Sequence, residues 1–179
     1  MSKTKQSSKA ITRKILLMGL DNAGKTSIVL SLKRDTNLMS YFSVHPTRDY
    51  EIGRIDDQDS KFSIWDFGGQ EQYRQVHLKK LDDYLDRSDK LIYVIDIQDG
   101  ARYDLALNYL GEILKGLEKK GMIIPLSIFL HKFDKQVEDL YLQSSQELIS
   151  RIRELIPDEY PLEISKTTIY TIFEKQIVV

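Results

Sequence analysis

The chain has no cysteine. That excludes a disulfide framework, a cysteine-based zinc site, a thiol nucleophile and every cysteine-linked lipid anchor. No apolar run approaches the roughly 18 residues that a membrane-spanning helix needs. Position 2 is serine, so the glycine required for N-myristoylation is missing. The early lysines have no apolar stretch behind them before Ile11, unlike a secretory signal. The expectation is a cytoplasmic protein with no intrinsic lipid anchor, recruited to any membrane surface through partners. Charge is nearly balanced at a formal −1, so no global field draws nucleic acid, and no nucleic-acid role is expected. What remains is a chain of 179 residues, 41% apolar and 30% charged, enough for one soluble domain with a full core.

Met1 to Ala10 is rich in Ser, Lys and Thr. It reads as a solvated tail, and the expected division is a flexible segment over 1–13 and one domain over 14–179. From Lys14 onward, short apolar runs alternate with longer periodic segments. Strands are expected at Lys14–Met18, Leu91–Asp96, Leu126–Leu130 and Leu162–Thr167. Asp49–Ile55 and Lys61–Asp66 alternate apolar and polar residues about a connection, with Asp56, Asp57, Gln58 and Asp59 in it, too short for a crossover, which makes them a hairpin. Helices are expected to open at Thr26 and to span Ala101–Lys119 and Ser144–Ile156, the first of these two on the spacing of Leu105, Tyr109, Leu110, Ile113 and Leu117. The fold class is α/β: a six-stranded, mostly parallel sheet with one antiparallel edge strand and helices on both faces. Ligands of such a sheet sit at the carboxyl ends of its strands, so chemical residues should follow strands.

They do. The first strand runs into Gly19-Leu20-Asp21-Asn22-Ala23-Gly24-Lys25-Thr26, then Ser27. This is G-x-x-x-x-G-K-[ST] between a strand and a helix, the context that gives the motif its meaning. Glycines let the backbone turn so that the N–H groups of Asp21 to Ser27 face phosphates, and the helix N-terminus adds partial positive charge. Lys25 is placed to reach the β- and γ-phosphates, and the Thr26 hydroxyl to ligate Mg²⁺.

A later strand ends in Trp65-Asp66-Phe67-Gly68-Gly69-Gln70. Asp66, opposite the phosphate loop, suits a water of the Mg²⁺ shell. The double glycine permits a hinge whose Gly69 N–H meets a γ-phosphate, and the Gln70 amide suits orientation of an attacking water. The fifth strand ends in His131-Lys132-Phe133-Asp134. A carboxylate at Asp134 pairs with two guanine donors, whereas adenine would set a lone pair against it. The stem of Lys132 can lie over the base. After the last strand comes Ser165-Lys166-Thr167-Thr168-Ile169, where a main-chain N–H at Thr168 or Ile169 suits guanine O6.

In this order the segments resemble the Ras superfamily of small GTPases, from about Lys14 to about Phe173. GLDNAGKT and WDFGGQ are similar to the Arf branch. His131 stands where the usual motif has asparagine, and this, with Thr167-Thr168-Ile169, resembles the Rag/Gtr branch. The expectation is a Rag- and Arf-like member of archaeal or early-branching kind. The resemblance implies a GTP/GDP switch with Mg²⁺, in which Thr47, within Val44-His45-Pro46-Thr47-Arg48, meets metal and γ-phosphate in the triphosphate state. Lys25, Thr47 and Gln70 become the catalytic set, and Thr26, Thr47 and, through water, Asp66 the metal set. His131, Lys132, Asp134, Thr168 and Ile169 become the guanine set. Asp21, where many relatives have glycine, is expected to crowd Gln70.

Slow intrinsic turnover is expected, on the order of 10⁻⁴ s⁻¹ or less, with an activating protein needed for speed. No arginine sits three residues before Thr47; Arg48 and Arg74 are near in sequence but unplaced. Partners implied are an exchange factor, an activating protein, and roadblock- or longin-type domains or another GTPase. Tyr41, Phe42, Tyr50, Phe67, Tyr73 and His77 are candidates for the partner surface. Rag proteins continue into a second, roadblock-like domain beyond the expected domain here, so either a shorter relative or an incomplete closing helix is expected, and Ser2 departs from the acylated glycine of Arf proteins. Two competing readings stay open: a non-hydrolysing, nucleotide-dependent binding module, and an ATP-using P-loop enzyme.

Overall fold

A computed structural model describes residues 12–33, 36, 38–57 and 60–170. Of the expected tail over 1–13, residues 1–11 lie outside these described residues, as do the hairpin-turn residues Gln58 and Asp59 and the closing segment 171–179; Thr12 and Arg13 are strand, not tail. In chain order the elements are β1 (Thr12–Gly19), α1 (Lys25–Ser31), α2 (Leu38–Phe42), β2 (Tyr50–Asp57), β3 (Ser60–Phe67), α3 (Glu71–Lys79), α4 (Leu81–Leu85) and β4 (Lys90–Asp96). A 3₁₀ turn (Gly100–Arg102), α5 (Tyr103–Lys119), β5 (Leu126–His131), α6 (Leu142–Leu155) and β6 (Leu162–Lys166) complete them.

The six strands form one sheet in the order β2-β3-β1-β4-β5-β6. β2 runs antiparallel to β3, and every other pair is parallel, as expected. The period of two is visible in β1. Leu16 and Met18 join the large core under α3 to α6, while Leu17 joins a smaller cluster with Ala23, Val29, Ile64 and Val94 near α1. The carboxyl ends of β1, β3, β4 and β5 therefore converge on one rim. Their register sets Leu17 beside Asp66 and Asp96 beside His131.

Three differences from the expected elements matter. α3 and α4 are not among the expected helices; α4 buries Leu81, Tyr84 and Leu85 at helical spacing, whereas α3 buries Arg74 and His77 instead of an apolar stripe. Its ends still suit the helix dipole, with Glu71 in the first turn and His77 and Lys79 in the last. β2 begins at Tyr50 because Asp49 adopts a left-handed φ of 54° and turns the chain. In α5, Tyr109, Leu110, Ile113 and Leu117 are buried as expected, joined by Tyr103, Ala106, Leu107 and Leu114, while Leu105 is 41% exposed.

Candidate functional site

The phosphate loop joins β1 to α1. Gly24, at φ 88°, forms the N-cap of α1 in a left-handed conformation that glycine adopts freely. Asn22, at φ 58°, takes the same region, which asparagine tolerates better than most side chains. Left-handed residues of this kind suit a concave backbone whose amides turn inward. Lys25 arches back over it. Its Nζ donates to the carbonyls of Gly19 at 3.1 Å and Leu20 at 2.7 Å. Burial pushes this ammonium down to about 8; Asp66 and Asp21 pull it up, and Arg74 pushes it lower. A polyanion beside it would raise this pKa again by favouring the charged form.

Three oxygen-bearing side chains meet next to Lys25. Thr26 Oγ1 donates to Asp66 Oδ2 at 2.6 Å, and Thr47 Oγ1 lies 3.0 Å from Thr26 Oγ1 and 3.4 Å from the same carboxylate oxygen. Asp66 is 2% exposed. Burial raises its carboxyl pKa; the Thr26 hydrogen bond and Lys25 oppose the rise, Glu51 adds to it, and Thr47 again opposes it. Asp66 Oδ1 is buried and has no hydrogen-bond partner in the structure. Two hydroxyls and a carboxylate with a spare lone pair suit a hard, oxygen-seeking cation that keeps its own waters, which is the habit of Mg²⁺. Among the described residues no cluster of three His, Asp or Glu side chains converges. A metal that binds chiefly through hydroxyls, phosphates and water needs none.

The Gly68-Gly69-Gln70 segment closes the cleft. Gly68 N–H donates to Asp49 O at 2.7 Å. Gly69 lies so close to the phosphate loop that an added Cβ would sit 2.1 Å from Asp21 N and 2.1 Å from Leu20 C. Gln70 caps α3, its carbonyl accepting from Tyr73 N–H at 3.0 Å and Arg74 N–H at 2.9 Å. A cavity of about 260 Å³ lies between these segments, and Asp21, Lys25, Thr26, Thr47, Gly69 and Gln70 all line it. Asn22, Gly24 and Ser27 also reach it. Ala23 does not, since its side chain is 1% exposed within the smaller core, and it can contribute only main chain. Asp21 is turned to arginines: Arg102 Nη1 donates to its Oδ1 at 2.9 Å, and Arg74 Nη1 lies 4.0 Å from the same atom.

The other end of the rim holds the base-loop candidates. Thr168 Oγ1 donates to Asp134 Oδ1, and Gln98 Nε2 lies 3.4 Å from Asp134 Oδ2 and donates to Lys132 O at 2.8 Å. Lys132 adopts φ 60°, and its ammonium pairs with Asp96 Oδ2 at 2.7 Å. Ile169 follows, half-buried. His131 is 4% exposed and sits against the phosphate loop, its Nδ1 2.9 Å from Thr167 Oγ1. Burial lowers its pKa and Lys132 lowers it further, against Asp96, Asp134 and Thr167.

Sequence reasoning brought together the residues of both ends but passed over Arg102, Gln98 and Asp96. For two of them the signal was available: Asp96 ends β4 and Gln98 follows it, a strand end like the others. Arg74 and His77 had no signal, because polar residues on a helix ordinarily face solvent. Of the expected partner surface, Phe67 and His77 are 1% and 0% exposed and belong to the interior. Phe42 is 76% exposed, and Tyr41, Tyr50 and Tyr73 are half-buried.

A sequence profile described as the ADP-ribosylation factor family matches residues 1–172. The chain is 36% identical over 121 residues to ADP-ribosylation factor-like protein 3 of Chlamydomonas reinhardtii, covering 68% of this chain and 63% of that protein. It is 35% identical over 139 residues to the Caenorhabditis elegans protein of the same name, covering 77% and 67%. With that of Saccharomyces cerevisiae the figures are 30% over 159 residues, covering 86% and 77%. The match thus spans less than two thirds of the first of these relatives. In fold, the chain is similar to the Arl6 BBS3 small GTPase of Trypanosoma brucei, solved with the nucleotide analogue GppNp, with a TM-score of 0.64 at 20% identity over 88% of this chain and 87% of that one. These relatives lie on the Arf side of the expected resemblance. With a profile match over nearly its whole length, the chain belongs to the ADP-ribosylation factor family within the Ras superfamily of small GTPases.

Proposed function

We propose that this protein is a guanine-nucleotide switch that binds GTP or GDP with Mg²⁺, hydrolyses GTP slowly, and engages partners through the loops around Thr47 and Gln70. One observation carries the reading. Thr26, Thr47 and Asp66, from three separate segments, meet within 3.4 Å beside Lys25 in a cleft that Gln70 also lines.

Thr26 and Thr47 would hold the metal directly, and Asp66 would hold one of its waters. When bound, Mg²⁺ supplies charge to offset that developing on the phosphoryl oxygens. The chain does the rest by positioning. The loop amides from Asp21 to Ser27 bind phosphate oxygens, Lys25 offsets their charge, and Gly69 N–H faces the terminal phosphate. Gln70 orients the water. Asp134, steadied by Thr168 and Gln98, reads the guanine edge, with Lys132 alongside. His131 serves this site as the brace between the phosphate loop and Thr167.

Thr47 and Gln70 sit on segments joined by the Gly68–Asp49 hydrogen bond, so loss of a terminal phosphate would release both together. Exposed Ile52, paired in register with Trp65 of the stacked Tyr50–Trp65 pair, offers an apolar surface on the hairpin next to these segments, and Phe42 is exposed on α2. That surface is where regulatory and effector proteins would bind, among them an exchange factor and an activating protein.

The test is single turnover of the purified chain loaded with GTP and Mg²⁺, with ATP in parallel. Retained GTP turning to GDP on the order of 10⁻⁴ s⁻¹ or slower, with ATP ignored, supports the reading. GTP held unchanged points to a non-hydrolysing binding module. Preference for ATP, or retention of neither nucleotide, overturns it.

A further inference from the structure

Arg74 is 7% exposed, deep for a guanidinium, and its place is not that of a group reaching into the cleft. The cavity lining includes Gly69 and Gln70 but not Arg74. The side chain lies behind the reactive loop. Nη1 donates to Gly69 O at 2.6 Å and lies 4.0 Å from Asp21 Oδ1. The guanidinium carbon sits 5.7 Å from the centre of the Tyr109 ring on α5.

The geometry of one peptide unit gives this contact its consequence. The carbonyl of Gly69 and the N–H of Gln70 belong to the same planar trans peptide and point in opposite directions. Holding the oxygen on the Arg74 side fixes the direction of the Gln70 N–H and restricts the rotation of Gln70 about its own backbone. The next peptide is held as well, because the Gln70 carbonyl accepts the main-chain N–H of Arg74 at 2.9 Å. One residue therefore brackets Gln70, with its side chain before it and its backbone after it. Two adjacent glycines, Gly68 and Gly69, would otherwise leave this stretch with wide conformational freedom.

The brace is anchored at its far end. Asp21 is held by Arg102, whose Nη1 donates to Oδ1 at 2.9 Å and whose Nη2 donates to Asp21 O at 3.3 Å. Arg102 is itself fixed by Asp99, accepting from Nε at 2.5 Å. A continuous line of polar contacts runs from the turn after β4, through the phosphate loop, to the peptide before Gln70.

We infer that Arg74 is a positioning residue for hydrolysis: by fixing the Gly69–Gln70 peptide against Asp21, it sets the orientation of Gln70 toward the water. This rests on the hydrolytic reading above. Lysine would not substitute, because its shorter reach and compact, strongly hydrated ammonium do not place one nitrogen at Gly69 O and Asp21 while a planar group lies over Tyr109.

The experiment compares the full chain with Arg74→Lys and Arg74→Ala. Single-turnover GTP hydrolysis, GDP affinity and the melting temperature of the GDP-bound form are measured on each. Hydrolysis is expected to fall about 10- to 100-fold in both variants, since small misplacements of reacting groups carry costs of that size. GDP affinity is expected to hold, because the Gly69–Gln70 peptide faces only the terminal phosphate. If Arg74→Ala fails to fold, Arg74→Lys, which keeps the charge and the aliphatic stem, carries the comparison. Wild-type hydrolysis rates in a folded variant overturn the inference. So does a loss of GDP affinity in step with the rate, which marks a merely structural role. A wild-type chain that holds GTP unchanged removes the hydrolytic reading itself, and the inference with it.

Discussion

His131 lies directly against Gly24: a Cβ on that glycine would come within 2.5 Å of His131 Cδ2 and 2.9 Å of Nε2. On the ring's other side, Nδ1 is 2.9 Å from Thr167 Oγ1. The imidazole thus spans the phosphate loop and the loop after β6. His131→Ala removes both contacts and leaves the Thr167 hydroxyl unpaired. GDP affinity is expected to drop about 10- to 100-fold, the scale of a lost buried hydrogen bond with its packing, as read by dissociation of a fluorescent GDP analogue. Unchanged dissociation would mean the ring fills space without bracing the loop.

Acid should loosen the fold through two histidines. Burial lowers the pKa of His131, and it lowers that of His77 against the pull of Asp49. In both, the unfolded chain takes up a proton more readily than the folded one. Their contribution is therefore full above the unfolded value of about 6.5 and is lost as pH falls from there through the folded values. Asp66, whose pKa is raised, acts in the opposite sense, in a window running upward from its ordinary value of 3.8. Melting temperature measured between pH 8 and pH 5 should fall toward acid, and His77→Gln should flatten the slope (pH range of about 5–8). An equal slope in that variant would remove His77 from the account.

Gly69→Ala places a methyl where the phosphate-loop backbone already stands, 2.1 Å from Asp21 N. Backbone must move, because no flexible side chain is there to yield. The loop is expected to withdraw from the cleft, with GTP affinity falling well below GDP affinity and hydrolysis lost. Competition binding of the two nucleotides reads the ratio, and equal loss for both would argue against a role specific to the terminal phosphate.

Gln70→Leu removes the amide but keeps the size of the side chain and the main-chain cap of α3. GTP should remain bound and unhydrolysed over the hours in which the unaltered chain turns over. Hydrolysis at an unchanged rate would take Gln70 out of the mechanism.

Asp134→Asn changes an acceptor into a group that also donates. Preference should shift from guanine toward xanthine nucleotides, by about 2 kcal/mol or more for a mismatched buried polar contact. Displacement by XTP and GTP in parallel reads it, and unchanged guanine preference would place base recognition elsewhere.

Much of this was legible because phosphate chemistry needs few residue types in fixed spacing. Gly24, Lys25 and Thr26 come from one motif, and Asp66 and Asp134 from the rule that ligands gather at strand ends. The hairpin and the buried strands followed from alternation and apolar runs. α3 did not, because its inward face carries Arg74 and His77, and hydrophobic periodicity does not register a helix that buries charge and imidazole. The same blindness hid the arginine brace. An arginine in isolation reads as solvated, and only the fold brings Asp21, Gly69 and Tyr109 around it. Leu105 erred the other way: an apolar residue in helical register that the geometry of α5 leaves in solvent.

Trp65 is the chain's single tryptophan, and its setting gives it a further use. Its indole stacks on Tyr50 with ring centres 4.9 Å apart, and the Lys14 ammonium lies 4.4 Å from its centroid. The next residue is Asp66, and Tyr50 follows the Thr47 segment by three positions. Ultraviolet emission excited in the indole band therefore arises at one point, where β1, β2 and β3 meet. Any sliding of the hairpin against β1 would change the stacking partner and the nearby charge together, so a single emission spectrum would report that movement without an added label.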